Sequence, residues 1–235
     1  MSFITVIALT ICVSLSVFVG VYLGKNIKLA SWKRAVIIVI GAIGTIAGML
    51  VLNWIENGIW GGISYFGAHF MAPLTVALAC LVFGARRTEI LDMIDLVSLI
   101  LSFSIVLIKI NCMIHGCCRG RVLWTDERGF NVLFPSQIVE CLNALLITAF
   151  LIYCIRKGKH RGMLMPLFYA VYGVTRFYLH LLRDTRPFAL GLPAGNLWSL
   201  LSIFVSIVWM YIRYLRVSNE KMARAHRSRA RKRLG

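Results

Sequence analysis

The sequence is poor in charged residues, and in acidic residues above all. Only 15% of its 235 residues are charged, and Asp and Glu together number 9 against 26 Lys and Arg. Hydrophobic residues make up 59% of the chain. A soluble domain of this length carries more charge on its surface, so this composition excludes an ordinary soluble globular protein. It indicates an all-α integral membrane protein instead.

The chain also lacks any repeat, Gly/Ser linker or low-complexity segment that would divide it. Seven apolar stretches reach the roughly 20 residues that a helix needs to cross a bilayer, and hydrocarbon leaves the backbone no alternative to helix. The first has no preceding basic region and no small-residue cleavage site, so we expect a retained span. The predicted spans are residues 3–23, 35–55, 63–83, 90–110, 136–155, 162–182 and 196–215. We expect one transmembrane domain over 1–217 and a basic tail over 218–235.

Basic residues alternate between successive loops. Most Lys and Arg follow predicted spans one, three, five and seven, as Lys25, Arg86 and Arg156 do. The positive-inside rule makes that side the cytoplasm. We therefore predict an N-terminus outside and a C-terminus in the cytoplasm. The basic tail is expected beside anionic membrane lipids, and nucleic acid is not expected as a partner.

Polar residues form a stripe on predicted span six. Five of them fall within about 80° of the helix circumference, a face on which Val174 does not lie. They are Tyr169, Tyr172, Arg176, His180 and Arg183. Charged side chains within spans are costly, and arginine binds phosphate oxygens in pairs, so the stripe suits an anionic headgroup. The alternative is that Arg176 pairs with Glu140 and only fixes the helices together.

Two further polar segments lie at the predicted outer side. Pro135 and Ser136 favour a helix start, and they place Gln137 and Glu140 on one face of span five. The segment 109–121 combines basic residues, glycines, His115 and three cysteines. Asp95 lies 14 residues before this segment, about 21 Å along a helix, so we expect it to have a structural role elsewhere.

Seven cysteines are present, and four of them, Cys12, Cys80, Cys141 and Cys154, lie in apolar helix, where they serve packing. The other three are Cys112, Cys117 and Cys118. A disulfide from Cys112 to either neighbour is compatible with an outer position. A zinc site and a thiol–disulfide oxidoreductase are alternatives, but adjacent cysteines and this spacing match no usual zinc pattern.

These residues resemble the prolipoprotein diacylglyceryl transferase family. Tyr172-Gly173-x-x-Arg176, followed by Arg183, is similar to the family's Tyr-Gly-x-x-Arg helix. Three more blocks follow the family's order: Pro135-Ser136-Gln137-Ile138-Val139-Glu140, the signature-loop residues Gly116, Gly120, Arg121 and Val122, and Gly195-Asn196-x-x-Ser199. Together they cover about residues 60–205.

The resemblance implies a bacterial plasma (inner) membrane enzyme that moves a diacylglyceryl group from phosphatidylglycerol to the lipobox cysteine in a prolipoprotein signal peptide. No cofactor and no metal are implied. The implied catalytic residues are Arg176, Tyr172, Lys109 and His115. The implied substrate-binding residues are Gln137, Glu140, Gly120, Arg121, Arg183 and Gly67.

The chain departs from the family pattern in its signature loop and in the family's membrane-embedded His-Gly-Gly motif. Lys109 stands where the family has arginine, Cys112 and His115 replace asparagines, and Cys117 replaces a glutamate. The family's His-Gly-Gly corresponds to 66–68, which begins with Phe, so His69 or His115 would have to supply the base. A non-catalytic homologue that binds anionic lipid is therefore a further alternative.

Overall fold

The computed structural model describes residues 27–58, 60, 62–157, 162–183 and 185–234, with isolated positions between 10 and 24. After Asn219, Met222 is the one residue whose side chain is described. Most of the predicted first span, residues 3–23, therefore lies outside the described residues.

The described residues form six helices and one β-hairpin. The helices are α1 (Ser31–Asn57), α2 (Tyr65–Val82), α3 (Arg87–His115), α4 (Ser136–Lys157), α5 (Leu164–Leu181) and α6 (Ala194–Leu234), and the strands are β1 (Val122–Thr125) and β2 (Asn131–Leu133). The two strands pair antiparallel between α3 and α4 and are largely exposed. This short hairpin was not expected from the sequence, and the packed body is all-helical, as predicted.

Five of the described helices are long and apolar enough to cross a membrane: α1 to α4, and α6 over Ala194–Asn219. The predicted sixth span, 162–182, does form a helix, α5. At 18 residues it is as long as α2, but the Tyr, Arg and His side chains of its buried stripe make it less apolar than the five candidate spans. Seven spans and the orientation of the termini stay predictions. Helix α6 runs through residue 217 without a break, and the division of the chain there also stays a prediction.

Helices α1 and α2 cross at two glycines. A Cβ atom on Gly67 would collide with the backbone of Gly48 and Met49, and one on Gly48 would collide with Met71. Small residues allow two membrane helices to approach this closely. The structure thus places Gly67, a predicted substrate-binding residue, at a helix contact.

Asp95 joins α3 to the start of α5. Its buried carboxylate accepts hydrogen bonds from the backbone N–H groups of Gly162 at 2.5 Å, Leu164 at 3.0 Å and Met165 at 3.4 Å. These donors lack partners within their own helix, and the positive end of the helix dipole favours a carboxylate. Asp95 therefore has a structural role, as expected: its carboxylate caps the start of α5 and fixes the position of that helix.

Candidate active site

Four charged side chains converge at one end of the helix bundle. Lys109 Nζ and Arg176 Nη1 both form salt bridges with Glu140 Oε2. Arg183 Nη1 lies 3.8 Å from Glu140 Oε1. The four side chains are between 4% and 11% exposed. We call Lys109, Glu140, Arg176 and Arg183 the cationic cluster, because three positive charges surround one carboxylate.

The cationic cluster has more positive charge than its own residues neutralise. Glu140 compensates one cation of three, which leaves a net charge of two. The Nε atoms of Arg176 and Arg183 are buried and have no hydrogen-bond acceptor among the described residues. Buried charges and donors are costly unless paired, so this arrangement favours an anion that accepts from guanidinium groups. The Arg176–Glu140 contact is confirmed, but by itself it leaves Lys109 and Arg183 unexplained.

The polar stripe on α5 faces the interior, as the sequence predicts. Tyr169, Tyr172, Arg176 and His180 are buried, whereas Val174 is exposed. The ring of Tyr172, one turn before Arg176, meets that of Tyr65 edge-on at 5.5 Å and stacks on that of Phe168 at 5.6 Å. Aromatic packing therefore holds the helix turn that carries Arg176.

His180, which belongs to the predicted polar stripe but was given no catalytic or binding role there, places an imidazole beside the cationic cluster. It lies one turn after Arg176, is 6% exposed, and interacts electrostatically with all four cluster residues. Its Nδ1 has no hydrogen-bond partner within the described part of the chain. Its ring occupies the space that a side chain at Gly195 would need. The signal in the sequence was its place on the stripe.

The two histidines considered as replacement bases lie elsewhere. His115 is exposed at the end of α3, and its Nδ1 donates to the carbonyl oxygen of Asn111 at 2.9 Å in the same helix. His69 is fully buried, with Nε2 2.8 Å from Ser202 Oγ and its ring stacked on Tyr169 at 4.1 Å. The structure therefore does not bring His115 into the cationic cluster, and it uses His69 to join α2 to α6.

The start of α4 holds the loop that follows α3. Ser136 Oγ donates to the carbonyl oxygen of Cys118 at 2.6 Å, and Gln137 Nε2 donates to that of Cys117, also at 2.6 Å. Gln137 was predicted to bind substrate directly. Its contact shows that it fixes this loop, one helical turn before Glu140.

Gly120 and Arg121 connect the same loop to the end of α5. Gly120 pairs with Arg183 in an isolated β-bridge, and the close carbonyl group of Phe134 leaves no room for a Cβ atom. Arg121 donates its backbone N–H to Leu182 at 2.9 Å, and its exposed guanidinium reaches the end of α5. These contacts hold the backbone of Arg183, whose side chain belongs to the cationic cluster.

Three free thiols lie next to the cationic cluster. Cys112 is buried one turn after Lys109, and its Sγ is 3.8 Å from that of Cys118. The Sγ atoms of Cys112, Cys117 and Cys118 all lie within 4.8 Å of one another, and no disulfide joins these three residues. The hydrogen bond from the Cys112 thiol, and after it the Arg183 guanidinium, lower the pKa of the Cys118 thiol below its ordinary value.

Glu56 is a polar residue with a structural role that was not predicted from the sequence. Its Oε1 accepts from Trp198 Nε1 at 2.5 Å and from Ser64 Oγ at 3.0 Å. The carboxylate thereby ties the end of α1 to the starts of α2 and α6. An acidic residue near the end of an apolar stretch was the available signal.

Helices that are long and apolar enough to cross a membrane, together with a buried cluster rich in guanidinium groups, define a multi-pass membrane protein. The family model described as prolipoprotein diacylglyceryl transferase matches residues 3–212. The chain belongs to this family, and the family predicted from its motifs is confirmed.

Curated relatives carry the same name. The chain is 27% identical over 201 residues to the phosphatidylglycerol–prolipoprotein diacylglyceryl transferase of Clostridium tetani, covering 74% of this chain and 77% of the relative. It is 26% identical over 157 residues to transferase 2 of Clostridium perfringens, covering 62% of this chain and 59% of that protein. A relative from Dehalococcoides mccartyi is 26% identical over 117 residues, or 45% of each chain.

Proposed function

We propose that this chain transfers the diacylglyceryl group of phosphatidylglycerol to the lipobox cysteine of a prolipoprotein, at the outer side of a bacterial plasma membrane. Family membership and the names of its relatives support the reaction. The cationic cluster supports locating the reaction at this site, because it has two positive charges in excess and guanidinium donors without acceptors among the described residues.

The reaction exchanges one bond for another at a glyceryl carbon. The cysteine sulfur, as thiolate, attacks the diacylglyceryl carbon that is bonded to the phosphate oxygen. A C–S bond forms, the C–O bond breaks, and its electron pair leaves on glycerol phosphate. Negative charge therefore grows on the phosphate in the transition state, where preorganised cations are most effective.

In this proposal the four cluster residues have distinct roles. Arg176 presents a planar fork of donors to the phosphate, Arg183 supports it, and Lys109 supplies a point charge. Glu140 orients the three cations without neutralising them all. Tyr172 positions Arg176. Gln137 and Gly120 position the loop that follows α3. Arg121, which is exposed on that loop, contacts the lipid headgroup as it approaches the cluster.

An apolar crevice between α1, α2 and α3 suits an acyl chain. It has a volume of about 110 Å³ and is lined by residues that include Ala42, Ala72, Tyr65 and Ile108. Ile108 precedes Lys109, and the ring of Tyr65 lies 5.5 Å from that of Tyr172. A lipid with its phosphate at the cationic cluster would have this crevice within reach of its chains.

Turnover by the purified full chain in phosphatidylglycerol vesicles tests the proposal. With a lipobox peptide as acceptor, Arg176→Ala should lower glycerol phosphate release by about 100-fold or more, the effect expected for a lost transition-state donor. Arg128→Ala is the matched control, because Arg128 is exposed in the hairpin turn. A folded Arg176→Ala protein with full turnover would overturn the assignment.

The second candidate is a lipid-binding protein without turnover. It is favoured by Phe66, which stands where the family has histidine and packs in an aromatic cluster with Tyr172 and His69. Such a protein would be stabilised against heat by phosphatidylglycerol but would release no glycerol phosphate. The same vesicle assay therefore separates the two functions.

A further inference from the structure

We propose that Cys112, Cys117 and Cys118 bind one Zn²⁺ ion, and that the acceptor thiol is its fourth ligand. The first half rests on the geometry of the three thiols. The second half rests on the proposed function, because it gives the ion a part in thiol alkylation.

The sulfur atoms already have the spacing that zinc requires. Zinc–sulfur bonds are about 2.3 Å long, so two thiolates on a tetrahedral zinc ion lie about 3.8 Å apart. The Cys112 and Cys118 Sγ atoms are 3.8 Å apart, and Cys117 Sγ completes a group within 4.8 Å. Small side-chain rotations would bring all three onto one ion.

The backbone explains how two adjacent cysteines point to one centre. Cys118 has a φ of 60°, a left-handed conformation that is uncommon outside glycine. Cys117 N–H donates to the carbonyl oxygen of Cys112 at 3.2 Å, which returns the loop over the end of α3. The hydrogen bonds from Ser136 and Gln137 then hold the loop in place. Adjacent cysteines argue against a zinc site when only the sequence is considered. This turn removes the objection, because it brings Cys117 and Cys118 to the same side as Cys112.

The surrounding charge suits a metal–thiolate complex. Three thiolates and Zn²⁺ carry a net charge of −1, and a fourth thiolate makes it −2. Lys109 and Arg183 interact electrostatically with the Cys118 sulfur, and the cationic cluster has two positive charges in excess. Zinc sites with three protein ligands leave one position for an exchangeable ligand, as catalytic sites require.

Such a site would activate the acceptor. An ordinary cysteine thiol is largely protonated at neutral pH, and coordination to zinc removes its proton. On binding, the acceptor thiol releases its proton to solvent. Its sulfur then attacks the glyceryl carbon, the C–O bond breaks, and glycerol phosphate leaves toward Arg176. No oxidant or reductant is needed, and Cys112, one turn from Lys109, sets the nucleophile beside the phosphate site.

Co²⁺ substituted for Zn²⁺ reports the ligands directly. The reduced full chain in detergent should bind one ion and show thiolate-to-cobalt charge-transfer absorption. The absorption should rise when a lipobox peptide is added and stay constant when the peptide has serine for its cysteine. Cys112→Ser and Cys118→Ser should lose the absorption, whereas Cys141→Ser, on α4, is the matched control and should keep it.

Three results would overturn the proposal: no charge-transfer absorption in the reduced wild-type protein, absorption that ignores the peptide thiol, or full transfer by the Cys112→Ser/Cys118→Ser double variant. The last would leave the proposed function standing. Conversely, cobalt bands that respond to the peptide, without release of glycerol phosphate by the zinc-loaded protein, would support the metal site and refute the transfer. Arg176→Ala should abolish transfer and retain the cobalt bands.

Discussion

Arg176 and Glu140 form an ion pair that is buried between α5 and α4. A pair of this kind usually neutralises itself and fixes two helices together. Here the same carboxylate also receives Lys109, and Arg183 lies 3.8 Å from its other oxygen. The contact that would argue for a purely structural arginine is therefore part of a cluster with positive charge to spare.

Removing the carboxylate of the cationic cluster should destabilise the protein more than removing one of its cations. Glu140→Gln leaves three buried cations without a counterion, and breaking a buried pair in this way costs about 3–5 kcal/mol. Lys109→Met leaves Arg176 paired with Glu140 and should cost less. Thermal unfolding in neutral detergent measures both, and phosphatidylglycerol should recover part of the stability of Glu140→Gln.

Glu127→Gln is the control for that comparison, because Glu127 is exposed in the hairpin turn. Its unfolding temperature should match that of the wild type. Equal stability of the Glu140→Gln and wild-type proteins, with or without lipid, would mean that the cluster does not hold uncompensated charge.

A substitution at Gly67 distinguishes a role in helix packing from a role in substrate binding. A methyl group at Gly67 collides with the α1 backbone at Gly48, and overpacking of this kind costs about 1–3 kcal/mol. We expect Gly67→Ala to lower the unfolding temperature while each folded molecule retains its turnover. A loss of turnover at unchanged stability would instead place Gly67 at the headgroup, as the family resemblance implies.

Two matched variants on α1 test whether the crevice between α1, α2 and α3 binds an acyl chain. Ala42→Phe fills the crevice and should weaken the stabilisation that phosphatidylglycerol gives against heat. Val39→Phe, at a position 45% exposed on the outer face of α1, should leave that stabilisation unchanged. Equal lipid stabilisation in the two variants would exclude the crevice as an acyl-chain site.

The sequence alone could predict the parts of the site that depend on one helical period. Tyr172, Arg176 and His180 share a face of α5 because three- and four-residue steps return to the same side of a helix. Glu140 lies on the inward face of α4 for the same reason. The family motifs then supplied the residues that would act together.

The remaining features depend on where elements end and how loops turn. Helix α3 continues to His115 rather than ending near residue 110, and six residues past Lys109 correspond to about 240° around the helix. His115 therefore faces away from the cluster. The convergence of the three thiols depends on the left-handed conformation of Cys118, and no sequence pattern predicts that conformation for a cysteine.

The mass of a lipobox peptide after incubation with the wild-type chain in phosphatidylglycerol vesicles tests the central claim most directly. We expect the peptide to gain one diacylglyceryl group on its cysteine, with one glycerol phosphate released for each peptide modified. Arg128→Ala should give the same product, and Arg176→Ala should give about 100-fold less or none. A wild-type protein that is stabilised by phosphatidylglycerol yet leaves the peptide mass unchanged would contradict the account.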